Sequence, residues 1–249
     1  LMETPHSSSA TRLDLSGCPL RKRKPAGGNE MNDAVLNAVQ VSPSEKISFR
    51  CTGCSACCRH VRQSVVLESL DVFRITKYLR DRDSNIKSTD DFLEKHAEIA
   101  LLDECGFFVF MLKVQDADDA CVFLKENRCM IHSVKPRACR IYPFIASPTE
   151  NGRFEYLVSK EQTHHFKGPN VSVSRWMNQY FLPDEREALH TDFRTVPHIA
   201  RLLRQIPEER RKQALSLFWW YRYSSFDLDG SFLEQYPINL ERLQQEIRH

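Results

Sequence analysis

The sequence predicts an α+β protein: a small cysteine-rich metal-binding core of short strands and helices, followed by a helical C-terminal subdomain. Three observations carry this. Seven of the nine cysteines gather in two groups, Cys51 to Cys58 and Cys121 to Cys139. Around the second group, apolar runs of strand length alternate with short stretches of helical spacing. Beyond Pro169 helix-start signals dominate.

At 249 residues and 29.0 kDa the chain can bury one sizeable core. The expected organisation is a disordered N-terminal segment over 1–45, a cysteine-cluster metal-binding domain over 46–170 and a helical extension over 171–249. Ser7-Ser8-Ser9, the run Arg21-Lys22-Arg23-Lys24, Pro25 and Gly27-Gly28 are too polar and punctuated to bury apolar surface. Met31 is a plausible initiator, so residues 1–30 are read as a tag or upstream translation.

Charge is balanced, 35 Lys+Arg against 33 Asp+Glu, which excludes the broad basic face of a non-specific nucleic-acid binder. No apolar run approaches the ~18 residues of a membrane span, and the first thirty residues lack the apolar stretch of a secretory signal. A cytoplasmic location is therefore expected. There, thiols stay reduced, and clustered cysteines more often bind metal or catalyse than pair; an odd total argues the same way. Cys18 and Cys105 stand alone and read as small buried hydrophobes.

After the first cysteine group, Val72, Ile75 and Leu79 recur at helical spacing, and Ser88 precedes Asp91 as in a capping box. Two helices are expected, over 69–81 and 89–101. Phe107 to Val114 is an unbroken apolar and aromatic run suited to a buried strand. Cys121 to Leu124 and Cys129 to Ile131 flank the polar Lys125-Glu-Asn-Arg128, which predicts a hairpin bringing Cys121 and Cys129 together. Pro136 suits the start of a short helix carrying Cys139, and Arg153 to Val158 is a further strand candidate. Pro183 and Pro207, each followed by acidic residues, mark helix starts. The stripe of Leu215, Phe218, Trp219 and Tyr223 is expected to be core rather than a ligand face.

Cys51, Cys54 and Cys57 repeat the Cys-x-x-Cys spacing, which lets thiolates on one tight turn reach a single metal, and Gly53 can supply the positive φ such a turn needs. The run is similar to three successive iron ligands of bacterial ferredoxins, but Val61 and Arg62 stand where the closing Cys-Pro would fall. Distant ligands are therefore required. Cys58 follows Cys57 directly, and in extended backbone neighbouring side chains point apart, so the two are expected to serve different ions or roles. Cys121, Cys129 and Cys139 can close the site. Seven thiols exceed one tetrahedral site and fall one short of two, which leaves room for a bridging thiolate, a labile position, or a histidine drawn from His132, His164 and His165. Arg59, Arg62, Arg137 and Arg140 either offset the thiolate charge or form ordinary ion pairs. Thiolate-rich sets suit iron and zinc alike; the triple repeat favours an iron–sulfur cluster, of 4Fe–4S type, over zinc.

These segments resemble the YkgJ-type cysteine-cluster family, described as zinc- or iron-chelating and related to the flagellin lysine N-methylase. The resemblance runs through Phe49-Arg-Cys51-Thr-Gly-Cys54-Ser-Ala-Cys57-Cys58, Cys121-Val-Phe-Leu124 and Arg128-Cys129-Met-Ile-His132-Ser-Val-Lys-Pro136-Arg-Ala-Cys139-Arg140-Ile-Tyr142-Pro143-Phe144, within residues 49–170. It implies metal binding by Cys51, Cys54, Cys57, Cys58, Cys121, Cys129 and Cys139. Two positions depart from the family pattern. His132 stands where tyrosine is common, and Thr163-His-His-Phe-Lys-Gly168 resembles a later Cys-x-Gly segment without its cysteine, so His164 or His165 is a substitute ligand.

Three function classes follow: a metal-cluster protein with a redox, iron-handling or accessory role; a protein-lysine N-methyltransferase, implied by the resemblance alone; and a structural zinc module. A protein partner or protein substrate is expected, with no nucleic acid and no membrane. No glycine-rich loop opening a helix, Cys-x-x-x-Cys-x-x-Cys run, Gly-x-Ser-x-Gly elbow, phosphate loop or His-Glu-x-x-His motif occurs. Cys57 or Cys58 with His60 as a catalytic pair is disfavoured, because sequence neighbours seldom form a dyad.

Overall fold

The computed structural model describes residues 38–248. The expectations for residues 1–30, for Met31 and for Cys18 lie outside the described residues. The observed class is α+β, with seven α-helices and twelve short strands among the described residues.

The strands pair antiparallel in small sheets. Strands β1 (Val39–Val41), β10 (Phe144–Pro148) and β11 (Phe154–Val158) form one sheet in the order β1-β11-β10. Val39–Val41 thus sit in a sheet although the stretch 1–45 was expected to be disordered. Strand β2 (Lys46–Ser48) pairs with β12 (Asn170–Ser172), with Ile47 opposite Val171. Strands β3 (Val66–Leu67), β4 (Ala97–Leu101) and β5 (Phe108–Leu112) form the order β3-β5-β4. Strand β6 (Val114–Gln115) pairs with β7 (Ala120–Cys121), and β8 (Leu124–Lys125) with β9 (Arg128–Cys129).

Strand β5 alternates as its sequence requires: Phe108, Phe110 and Leu112 are buried, while Val109 and Met111 are half-buried. Its inward residues meet the aromatic stripe of the C-terminal helices. Phe108 packs edge-on against Phe218 with ring centroids 5.1 Å apart, and Phe110 against Trp219 and Tyr223 at 4.8 Å. Phe218 and Tyr223 are fully buried. Each such aromatic contributes about 1.5–3 kcal/mol by leaving water, so the stripe is core. The larger core draws on residues 61–131 and 188–247 together.

Helix α1 (Ser69–Arg80) starts with Asp71 accepting from the Glu68 N–H, and α2 (Thr89–His96) has the capping box expected at Ser88 and Asp91. The second helix is shorter than the expected 89–101. From Ala97, at φ −122° and ψ 155°, the chain is extended, because Ala97, Ile99 and Leu101 pair in register with Leu112, Phe110 and Phe108. The strand partner overrides the weak helical preference of this stretch.

The cysteine hairpin is present but tighter than expected. Leu124 faces Cys129, and Glu126 and Asn127 both take positive φ, 49° and 58°, as a two-residue turn requires. Cys121 lies one strand earlier, opposite Val114. Helix α3 (Arg137–Ile141) follows Pro136 and carries Cys139.

A smaller core joins Ile47, Phe144, Tyr156 and Val158 to Met177 and Phe181 at helix α4 (Val173–Tyr180). Helices α5 (Pro183–Gln205), α6 (Glu208–Trp219) and α7 (Phe232–Arg248) complete the C-terminal region, with a π-helical turn over Trp220–Ser224. Pro183 and Pro207 mark the starts of α5 and α6 as expected. Among the described residues no helix is long and apolar enough to cross a membrane.

Candidate metal centre

The first cysteine loop is laid against the histidine segment by backbone bonds. Beyond the β2–β12 ladder, the Phe49 N–H donates to the Pro169 carbonyl at 3.1 Å, and the Arg50 N–H to the His165 carbonyl at 2.9 Å. The Ser48 hydroxyl donates to the Gly168 carbonyl at 2.6 Å. Within the loop Gly53 takes φ 68°, as its sequence position requires, and Ser55 takes φ 57°. Ala56–Cys58 then forms one 3₁₀ turn.

This register delivers two imidazoles to Cys54. Its Sγ lies 3.3 Å from His164 Nε2 and 3.1 Å from His165 Nε2, and the three donor atoms all lie within 4.8 Å of one another. Cys54 and His164 are exposed, whereas His165 is 2 % exposed. His165 is held from behind: its Nδ1 is 3.4 Å from the Tyr142 hydroxyl, and Phe49 packs edge-on against it. Such a second contact fixes ring orientation in histidines that bind metal. The Thr52 hydroxyl, His164 and the Ala56 N–H bring the Cys54 thiol down to about 6, so the thiolate a metal needs is favoured near neutral pH.

Five of the remaining cysteines form a second group. Cys57 is exposed, Cys58, Cys129 and Cys139 are half-buried, and Cys121 is buried. Cys57 and Cys58 do not point apart as extended backbone would dictate: on the 3₁₀ turn the Cys58 thiol bonds Cys57, which lowers Cys57 to about 6 and raises Cys58 strongly. Cys121 is pushed up to about 11 by burial and then by the charge of Cys129 and Cys57. Burial raises Cys139 strongly, with Cys121, Cys129 and Cys57 adding to it. Charge on one of these thiols thus reaches its neighbours, which places the five sulfurs in one region of the fold. An ion of opposite charge relieves these penalties and stabilises the deprotonated set.

Backbone geometry favours the same state. The N–H two residues ahead donates to sulfur three times, Ala56 to Cys54, Phe123 to Cys121 and Ile131 to Cys129. Hydrogen bonds to thiolate sulfur tune iron–sulfur centres and orient ligands generally.

The four basic residues resolve into ion pairs. Arg59 pairs with Asp118, Arg62 with Asp119 at 2.5 Å, Arg137 with Glu68 at 2.5 Å and Arg140 with Glu185 at 3.2 Å. Lys135 is the cation that acts on Cys57 and Cys129. His132 is exposed and stands outside the Cys54 group; Lys135 and Arg140 disfavour its charged form. Cys51 is exposed at the loop's edge, and its charge reaches Tyr142. Cys105 is half-buried after β4.

The family model described as a "putative zinc- or iron-chelating domain", with the signature CxxCxxCC, matches residues 50–167. That segment is a domain of this family. The match ends at the residue before Gly168, so it takes in both histidines on Cys54. No curated protein and no solved structure matches the chain. The family description and the Cys54–His164–His165 group together support metal binding. The donor set fits either ion: a dense thiol group with imidazole at its edge suits iron or zinc.

His165 is the residue that spacing alone identified least well. A paired histidine has no periodic signature, and its partner stands 111 positions away. The available signal was its place in the segment where the family carries a later cysteine.

Proposed function

We propose that the protein holds an iron–sulfur cluster among Cys51, Cys54, Cys57, Cys58, Cys121, Cys129 and Cys139, with His164 and His165 completing the donor set beside Cys54. The role is electron transfer or iron handling as an accessory to a partner protein. The observation that carries this reading is that Cys57 and Cys58 from the first loop, Cys121 from β7, Cys129 from β9 and Cys139 from α3 lie in one region, where charge on one thiol raises its neighbours. When bound, the cluster supplies one-electron redox chemistry or transferable iron. The residues of the chain orient it: Tyr142 and Phe49 fix His165, and Lys135 offsets thiolate charge. Cys51, Cys54 and Cys57 lie at the surface, where a partner can exchange electrons or metal with the centre.

The test is anaerobic purification of the full chain followed by visible absorption and counts of iron, sulfide and zinc. Brown protein with near-equal iron and sulfide supports the proposal. Colourless protein carrying one or two zinc ions overturns it in favour of a structural zinc module.

A further inference from the structure

Helix α3 has only five residues, and its N-cap Pro136 supplies no side-chain cap. So short a helix has little stability of its own. It is instead gripped from three other helices. At its start, the Arg137 N–H donates to Asp71 Oδ1 at 2.9 Å, and the Arg137 guanidinium makes a two-pronged contact with Glu68 at 2.9 and 2.5 Å. One residue past Cys139, Arg140 donates to Glu185 Oε1 at 3.2 Å and to the Lys135 carbonyl at 2.9 Å. Arg74 ties the two anchors together, reaching Asp71 at 3.0 Å and Glu185 at 2.8 Å. At the far end, the Trp176 indole N–H donates to the Ile141 carbonyl at 3.1 Å.

Three guanidinium groups, Arg74, Arg137 and Arg140, are bonded to the carboxyl groups of Glu68, Asp71 and Glu185. Asp71 and Glu185 are 1 % exposed. Because these cations are engaged by carboxyl groups, they do not serve to neutralise thiolates. A buried ion network is also a poor source of stability, since apolar residues of similar volume commonly do as well or better. What it provides is direction. It fixes the residues two before and one after Cys139, and so fixes the line along which the Cys139 thiol enters the sulfur group.

We propose that Arg137 and Glu185 are positioning residues, which seat Cys139 for metal binding through a charge network anchored on α1 and α5. The inference rests on the reading that Cys139 is a metal donor. It adds that metal affinity depends on helices that carry no donor.

The experiment uses the full chain, with cobalt(II) as probe after metal removal under reducing conditions, and compares Arg137→Lys, Glu185→Gln, Cys139→Ser and a distant control, Arg80→Lys. Arg137→Lys keeps the charge and loses the planar fork, so it serves where Glu185→Gln fails to fold. The readouts are cobalt affinity, the cobalt–thiolate absorption band and the melting temperature of the metal-free protein. The proposal expects Cys139→Ser to abolish or shift the band, and Arg137→Lys to weaken cobalt binding about tenfold and displace the band, with Arg80→Lys unchanged. If Cys139→Ser alters the band while Arg137→Lys lowers only the melting temperature, the network is structural and the inference is overturned, with the donor assignment intact. If Cys139→Ser leaves affinity and band unchanged, the donor assignment itself fails, and the inference falls with it.

Discussion

Gly168 lies so close to Arg50 that a Cβ built on it would stand 2.4 Å from the Arg50 Cβ and 2.9 Å from the Arg50 nitrogen. The obstruction is backbone and first side-chain carbon, which cannot rotate away. Only glycine lets the histidine segment approach the first cysteine loop at this distance. Gly168→Ala is expected to cost about 1–3 kcal/mol as overpacking and to lower metal content by separating His164 and His165 from Cys54. Thermal melting and metal analysis check both. Gly53→Ala is the contrast: nothing lies within 4 Å of its Cβ, but φ is 68°. It should cost about 1 kcal/mol from backbone strain alone.

Alkylation of the metal-free, reduced protein should follow thiolate availability. Cys54 and Cys57, both brought down to about 6, react fast at pH 7, and their rates should fall as the solution is taken below pH 6. Cys121, held near 11 largely by burial, should remain unmodified until the protein unfolds. Peptide mapping after a short iodoacetamide pulse checks the order. Labelling of Cys121 ahead of Cys54 would contradict it.

Asp71 provides a pH test of stability. Burial, then the nearby Glu68 carboxylate, raises it to about 7, whereas an unfolded aspartate titrates near ~3.9. The folded state therefore holds this proton more tightly than the unfolded state. The stabilisation is fully present below about pH 4 and is lost as the pH rises through about 7. Melting temperature between pH 5 and 8 should fall less steeply in Asp71→Asn than in the parent protein. Equal slopes would show that another group dominates.

Phe218→Ala is expected to destabilise by about 3–5 kcal/mol, as emptying a filled aromatic site does, because Phe218 is fully buried against Phe107 and Phe108. Chemical denaturation measures the loss. Metal stoichiometry of the folded fraction should stay unchanged, since α6, which carries Phe218, bears no candidate donor.

What was legible in the sequence was local. Ser88 and Asp91, Gly53, Pro183 and Pro207 act within a few residues of themselves, and each does what its position predicts. The Phe108 to Leu112 strand and the turn at Glu126-Asn127 were readable for the same reason. Misreadings arose where a distant partner decides. Ala97 to Leu101 leaves the helix because Phe108 to Leu112 is available to pair. The exception is local: at Cys57 and Cys58 a 3₁₀ turn replaces extended backbone. The partners of Arg59, Arg62, Arg137 and Arg140 are carboxylates 45 to 69 positions away, beyond the reach of spacing rules.

Cys54 and His165 stand 111 positions apart in the chain. An ion held by both closes a loop comparable to the longest ones tied by disulfides, and a permanent tie of that span would remove roughly 4–5 kcal/mol of chain entropy from the unfolded state. Here the tie is reversible. Removing such an ion would return that entropy to the unfolded chain, so the folded protein is expected to melt at a lower temperature without metal than with it.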